Sequence, residues 1–111
     1  MASNNFFRAI CALLLAASLP AAALAGPRPV VHVVLIEGMQ FLPAELTVHS
    51  GDTVVWNNKD AFPHTVTSIQ KRFDSRDIAP GHSWKFVATK RGDVPYLCTL
   101  HRTMLGKLSV K

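Results

Sequence analysis

Residues 26–111 of this 111-residue sequence are predicted to form an all-β domain, built as two packed sheets or as a barrel. Three observations predict that fold class. Short segments rich in β-branched and aromatic residues alternate with Gly, Pro, Asn and Asp. The turn residues recur about every ten positions. No stretch after residue 26 has the apolar spacing of an amphipathic helix.

Seven segments account for the predicted strands. Residues 30–36 read VVHVVLI, a β-branched run with few helix formers. In residues 53–57, Val54 and Trp56 are expected to face the core and Val55 the other side, because successive side chains of a strand alternate. The other predicted strands show similar alternation and comprise residues 46–49, 64–68, 83–88, 94–98 and 105–110.

The connections are rich in turn formers. Residues 38–43 are predicted to form a bend, and residues 70–77 a polar, charged loop. Pro95 lies inside the sixth predicted strand. Proline removes a ladder hydrogen bond and usually occurs at an edge or at a bulge, so the pairing of this strand stays open. The larger aromatic residues are predicted to lie in the core: Phe41, Trp56, Trp84, Phe86 and Tyr96.

Residues 1–25 have the three parts of a secretory signal peptide. Arg8 precedes the apolar run AICALLLAASLPAAALA, which ends in the small-x-small sequence Ala23-Leu24-Ala25. An uncleaved membrane anchor is the alternative, but the run contains Pro20 and is short for a membrane span. We therefore expect an exported, periplasmic protein without stable membrane association after cleavage, whose single domain comprises residues 26–111.

The charge distribution argues against nucleic acid as a partner. Of the 12 Lys and Arg residues, only Arg8 lies before position 26. The predicted domain therefore has 11 basic and 7 acidic residues, a net charge of +4. These charges are scattered and form no basic stripe interleaved with aromatic residues. A mild positive charge is compatible with an acidic protein partner.

Cys98 is the only cysteine left after the predicted leader, which contains Cys11. An exported protein normally pairs its cysteines, so the thiol is either buried and inert, or linked to another chain, or a metal ligand. Its neighbours favour the last interpretation. The sequence CTLHRTM places Cys98, His101 and Met104 in one short connection between two predicted strands, and His64 is the candidate for a fourth ligand from a second loop.

The donor set points to one class of metal. Thiolate and thioether select soft metals, whereas magnesium and calcium prefer oxygen, and zinc seldom binds methionine. Two histidines and a cysteine in a plane with a distant methionine are typical of electron-transfer copper. Each residue alone would more simply be a core or surface residue. His32, His49 and His82 keep that simpler interpretation because no sulfur or carboxylate lies at chelating spacing.

Most of residues 30–110 resembles the small type 1 blue copper proteins, or cupredoxins, of the plastocyanin and amicyanin kind. The matching segments are FLPAELTVHSGDTVVWNNKD, FPHTV, FDS, IAPG and GDVPYLCTLHRTMLGKL. The resemblance implies a cupredoxin-like Greek-key β-sandwich with one copper ion at one end, bound by His64, Cys98, His101 and Met104. It also implies that the edge of the His101 ring reaches the surface within an apolar patch, for which the candidates are Leu42, Pro63, Leu100 and Leu105.

Three departures from the family pattern occur, at Thr65, at Thr99-Leu100 and at Pro95. Asn usually follows the first histidine ligand, where this chain has Thr65, whose backbone N–H can still bind the cysteine sulfur although its shorter side chain would connect the loops differently. Pro is frequent between the cysteine and the second histidine, where this chain has Thr99-Leu100.

The function implied is transfer of single electrons between transient redox protein partners by a monomer that is not an enzyme. One alternative is a copper carrier or copper-tolerance protein without an electron-shuttle role. A fragment of a multicopper oxidase is a weaker alternative, since it would require further domains and bridging histidines.

Overall fold

The computed structural model describes residues 13–18 and 27–111. Most of the predicted signal peptide therefore lies outside the described residues, including Arg8, Cys11 and the expected cleavage site. Residues 13–18 are exposed and belong to no helix or strand. In the described part of the chain, no helix has the length and apolar character needed to cross a membrane.

Within residues 27–111, eight strands form two four-stranded sheets. Their bounds are β1 Val31–Glu37, β2 Gln40–Leu42, β3 Glu45–Val48, β4 Thr53–Asn58, β5 Thr67–Ser68, β6 Ser83–Val87, β7 Gly92–Leu97 and β8 Leu105–Val110. One sheet has the order β2-β1-β4-β6 and the other β3-β8-β7-β5. The β1–β4 and β3–β8 pairs are parallel and the other pairs are antiparallel. The predicted all-β sandwich is confirmed.

The inner faces of the two sheets follow the predicted alternation. Val54 and Trp56 are fully buried while Val55 is half-buried. The described core contains Val34, Ile36, Phe41, Val48, Val54, Trp56, Val66, Phe73, Ile78, Ala88, Val94, Tyr96, Cys98, Met104, Leu108 and Val110. Trp84 and Phe86 are partly buried against it, so the predicted placement of the aromatic residues is confirmed.

Two local predictions were wrong. Residues 38–43 are not simply a bend, because Gln40–Leu42 pairs with β1 as strand β2. Gly38 and Met39 form the two-residue turn between them, with φ of 63° and 60°, as in a type I′ hairpin. The strand predicted over 64–68 is reduced to Thr67–Ser68, because His64 instead forms an isolated bridge with Ile78.

Pro95 lies in β7, which is paired on both sides and is not an edge strand. Its carbonyl accepts a hydrogen bond from the Ile69 N–H at 3.1 Å. In an antiparallel strand the N–H and C=O of one residue point to the same side. The missing donor of Pro95 therefore points past the end of the two-residue strand β5, and pairing with β8 is unaffected.

Candidate metal centre

Sheet topology brings the two loops with candidate ligands to one end of the sandwich. Leu97, the last residue of β7, pairs with Leu105, the first residue of β8. Leu97 also pairs with Thr67, where β5 begins. The connection 98–104 and the segment that leads into β5 are therefore neighbours at the same end of the sheet.

The connection from Cys98 to Met104 is closed by its own backbone. The Cys98 N–H donates to the Met104 carbonyl at 3.1 Å. The His101 N–H donates to the Cys98 carbonyl at 3.3 Å, and the Met104 N–H to the His101 carbonyl at 2.9 Å. Each candidate ligand in this loop is thus hydrogen-bonded through its backbone to another, which fixes a tight loop of seven residues.

His64 is held by a different element. Its N–H donates to the Ile78 carbonyl at 3.2 Å, and the Ile78 N–H donates back to the His64 carbonyl at 2.7 Å. This bridge fastens the residue just before β5, and the His64 side chain is fully buried.

Three candidate donors converge in the structure. The Cys98 sulfur lies 3.8 Å from Nδ1 of His64 and 3.8 Å from Nδ1 of His101, and the donor atoms of all three lie within 4.8 Å of one another. Within the described residues, this is the one group of three His, Cys, Asp or Glu donors close enough to share a metal ion. His32, His49 and His82 do not belong to it.

The sulfur–nitrogen separations suit a shared first-row metal. Such an ion binds imidazole nitrogen at about 2.0–2.1 Å and thiolate sulfur at about 2.3 Å. At an angle of about 120°, as in a trigonal plane, these bond lengths separate the two donors by about 3.8 Å. The separations found for both histidines agree with this value. The residues present therefore fit a copper ion of the type that the donor set predicts.

Met104 is buried in the same loop, 3 % exposed. It borders a small cavity whose other walls include Phe41, Leu42 and Leu105. A thioether in these surroundings is a soft, weak donor with little access to water. Its backbone bonds to Cys98 and His101 keep it within the ligand loop.

Hydrogen bonds polarise the sulfur and one of the histidines. The Thr65 N–H donates to the Cys98 sulfur at 3.3 Å, as the family resemblance implies. The Asp60 carboxylate lies 2.9 Å from Nε2 of His64. Burial acts to raise the pKa of Asp60, but the N–H groups of Met39 and Gly38 and the His64 ring more than offset it, so the pKa lies below its ordinary value.

The Thr65 hydroxyl connects the two loops. It accepts hydrogen bonds from the Thr99 N–H at 2.8 Å and from the Thr67 hydroxyl at 3.0 Å. Its oxygen also lies 3.1 Å from the Thr99 hydroxyl oxygen, to which its own proton can donate. A hydroxyl offers one donor and two acceptor sites, so all three sites of this buried group are used.

Exposed apolar residues flank the candidate ligands along the chain. His101 is half-buried, and the predicted patch residues Leu42, Pro63, Leu100 and Leu105 are all exposed. Phe62, which was not predicted in this patch, is 60 % exposed beside Pro63.

Two supporting residues were missed in the sequence. Asp60 precedes His64 by four residues, a spacing that matters only once the loop curves back on itself. Thr99 adjoins Cys98, but nothing in the sequence indicates that it faces Thr65, 34 residues away. The only available signal was the occurrence of small hydroxyl residues beside both predicted ligands.

Comparisons with known proteins find relatives in sequence and in structure. The family described as a cupredoxin-like domain matches residues 8–110. The amicyanin of Paracoccus versutus is 33% identical over 85 residues, which cover 71% of this chain and 64% of that protein, so the chain spans less than two thirds of its length. The chloroplastic plastocyanin of Silene latifolia subsp. alba is 28% identical, with 88% and 70% covered.

A solved structure extends the comparison to three dimensions. The Cu(I) form of a methionine-to-alanine variant of amicyanin superposes with a TM-score of 0.69 at 30% sequence identity. The superposition covers 82% of this chain and 90% of the amicyanin chain.

Proposed function

Because this chain belongs to the cupredoxin family, we propose that it binds one copper ion through His64, Cys98, His101 and Met104 and carries single electrons between redox proteins. The observation that carries the proposal is the approach of two imidazole nitrogens to one thiol sulfur, each at 3.8 Å. Copper bound there would supply a one-electron Cu(II)/Cu(I) couple.

The protein residues hold the donors in place before any ion arrives. Backbone hydrogen bonds close the Cys98–Met104 loop, and the Ile78 bridge fastens His64. Preorganised donors reduce the rearrangement that a change of oxidation state demands. A copper carrier would benefit from accessible, exchangeable ligands, whereas His64, Cys98 and Met104 are buried. Burial therefore favours electron transfer over copper delivery.

Electron exchange would occur through His101. It is the only one of the four proposed ligands that is not buried, and exposed apolar side chains adjoin its loop. An apolar patch of this kind suits a transient protein contact. The net charge of +4 on residues 26–111 would favour approach of an acidic partner. We propose that the protein is a monomer, and that it is a carrier and not an enzyme.

The proposed location is the periplasm, reached with the signal peptide of residues 1–25. Mass spectrometry of the exported protein should find a chain that begins at Gly26. A full-length chain retained in the membrane fraction would instead support the anchor interpretation.

An absorption spectrum of the Cu(II)-loaded protein tests the function. We expect an intense blue band from thiolate-to-copper charge transfer, and Cys98→Ser should abolish it. Met104→Leu should retain copper and raise the reduction potential. His82→Ala is the matched control, because His82 lies outside the cluster, and it should leave the band unchanged.

Two outcomes would contradict the proposal. A colourless copper-loaded protein would exclude a type 1 site. A blue protein without a reversible Cu(II)/Cu(I) couple, which releases copper readily to a chelator, would favour the carrier alternative.

A further inference from the structure

The Asp60 carboxylate joins the candidate ligand His64 to the turn between β1 and β2. Oδ1 accepts the Gly38 N–H at 2.8 Å. Oδ2 accepts the Met39 N–H at 3.0 Å and lies 2.9 Å from Nε2 of His64. The Asp60 side chain is 13% exposed, so little solvent competes for these contacts. Both turn residues have positive φ, which directs their N–H groups to the same carboxylate.

The carboxylate determines which ring nitrogen of His64 carries the proton. An ionised carboxylate only accepts hydrogen bonds, so Nε2 must be the donor in this contact. A neutral imidazole with a proton on Nε2 has its lone pair on Nδ1. Nδ1 is the nitrogen that faces the Cys98 sulfur at 3.8 Å. The tautomer that can bind a metal in this cluster is therefore the one that Asp60 favours.

We propose that Asp60 is a positioning residue that fixes His64 in the Nε2–H tautomer and lowers the reduction potential of the bound metal. The effect on the tautomer concerns the protein alone. The effect on the potential rests on the proposed copper function. A carboxylate hydrogen-bonded to a ligating histidine makes the ring a stronger donor and fixes its orientation. Negative charge beside the site favours the more positive oxidation state, which lowers the potential.

The first experiment needs no copper. In the metal-free protein, ¹⁵N NMR of the His64 ring should show a single Nε2–H tautomer. Asp60→Ala removes the acceptor and should give a mixture of tautomers or exchange broadening. Asp60→Asn retains an oxygen acceptor and should preserve the Nε2–H form, which also provides a measurable variant if the alanine variant does not fold.

The second experiment measures the potential of the copper-loaded protein. Asp60→Asn removes the charge and should raise the potential, whereas Asp60→Glu retains the charge and should recover part of the difference. Asp93→Asn is the matched control, because it removes the same charge from an exposed residue near the far end of β7 and should change the potential less.

The results separate this inference from the proposed function. A wild-type protein without a blue band would refute the copper function while leaving the tautomer measurement valid. The inference itself is overturned if His64 keeps a single Nε2–H tautomer in Asp60→Ala. It is also overturned if Asp60→Asn shifts the potential no more than Asp93→Asn does.

Discussion

Replacing Gly106 with alanine should destabilise the domain by about 3–5 kcal/mol. Gly106 in β8 pairs with Tyr96 in β7, and the Tyr96 side chain leans over the glycine. A β-carbon at Gly106 would lie 2.2 Å from Cζ and 2.5 Å from both Cε2 and the hydroxyl oxygen of Tyr96. Carbon atoms normally approach to about 3.5–4.0 Å, so the ring would have to move by more than an ångström.

Tyr96 has little freedom to move. The side chain is 2 % exposed, and its hydroxyl oxygen accepts a hydrogen bond from the indole N–H of Trp56 at 3.2 Å. Its ring packs edge-on against Phe41 and Trp56, with centroid separations of 4.9 Å and 5.6 Å. Displacing it costs about 1 kcal/mol for the hydrogen bond, a similar amount for the aromatic contacts, and about 1–3 kcal/mol for overpacking.

Urea unfolding of the metal-free protein, followed by tryptophan fluorescence, measures this cost. The decisive comparison is a double-mutant cycle with Tyr96→Leu, which removes the atoms that the new β-carbon would contact. In that background Gly106→Ala should cost less than about 1 kcal/mol. A loss of stability below about 1 kcal/mol in the wild-type background would show that the Tyr96 ring does not rest on Gly106. A large loss of the same size in both backgrounds would assign the effect to the backbone.

Two further predictions concern polar contacts. The pKa of Asp52 is lowered to about 2, chiefly by its hydrogen bond with His32. In the unfolded chain this pKa is about 3.9, so the ionised carboxylate stabilises the folded state. This stabilisation is complete above the unfolded pKa and is lost as the pH falls toward 2. Asp52→Asn should flatten this part of the pH dependence in urea unfolding; an unchanged slope would contradict the assignment. Thr65→Val removes the hydroxyl that accepts the Thr99 N–H, so the free energy of unfolding of the metal-free protein should fall by about 1–3 kcal/mol. It should also shift the blue band of the copper form, because the Thr65 N–H contacts the Cys98 sulfur. Thr65→Ser should restore both properties, and similar values for the two variants would exclude the hydroxyl as the cause.

Features with short-range signals could be predicted from the sequence. Alternation identified the buried faces of β4 and β7, since each strand shows its period within five or six residues. The loop from Cys98 to Met104 could be recognised because three soft donors occur within seven residues, and a loop of that length keeps them together. His64 could be nominated as the fourth candidate because a predicted strand begins there, directly after Pro63. The register between β5 and β7 places it beside Cys98.

Features that depend on distant parts of the chain could not be predicted. Strand β2 is only three residues long, and its pairing depends on the left-handed conformation of Met39, which a residue with a β-carbon seldom adopts. Phe73 lies in a segment that is otherwise polar, but it packs against Trp56 and Tyr96. The contact between His64 and Asp60 requires the whole loop to be positioned, so composition and spacing alone carry no signal for it.

The two parts of the candidate site are held in different ways, and this difference determines how each responds to substitution. The Cys98–Met104 loop is closed by local backbone hydrogen bonds, so a change in its length would disturb three candidate donors together. His64 depends on contacts outside that loop: Ile78 holds its backbone, and Asp60 holds its ring. Thr65 then fastens this segment to the other loop. Substitutions at Asp60 or Thr65 should therefore alter the orientation of one donor and the polarity around the sulfur, while the number of donors stays the same. The reduction potential should consequently respond to these substitutions more strongly than the copper content does.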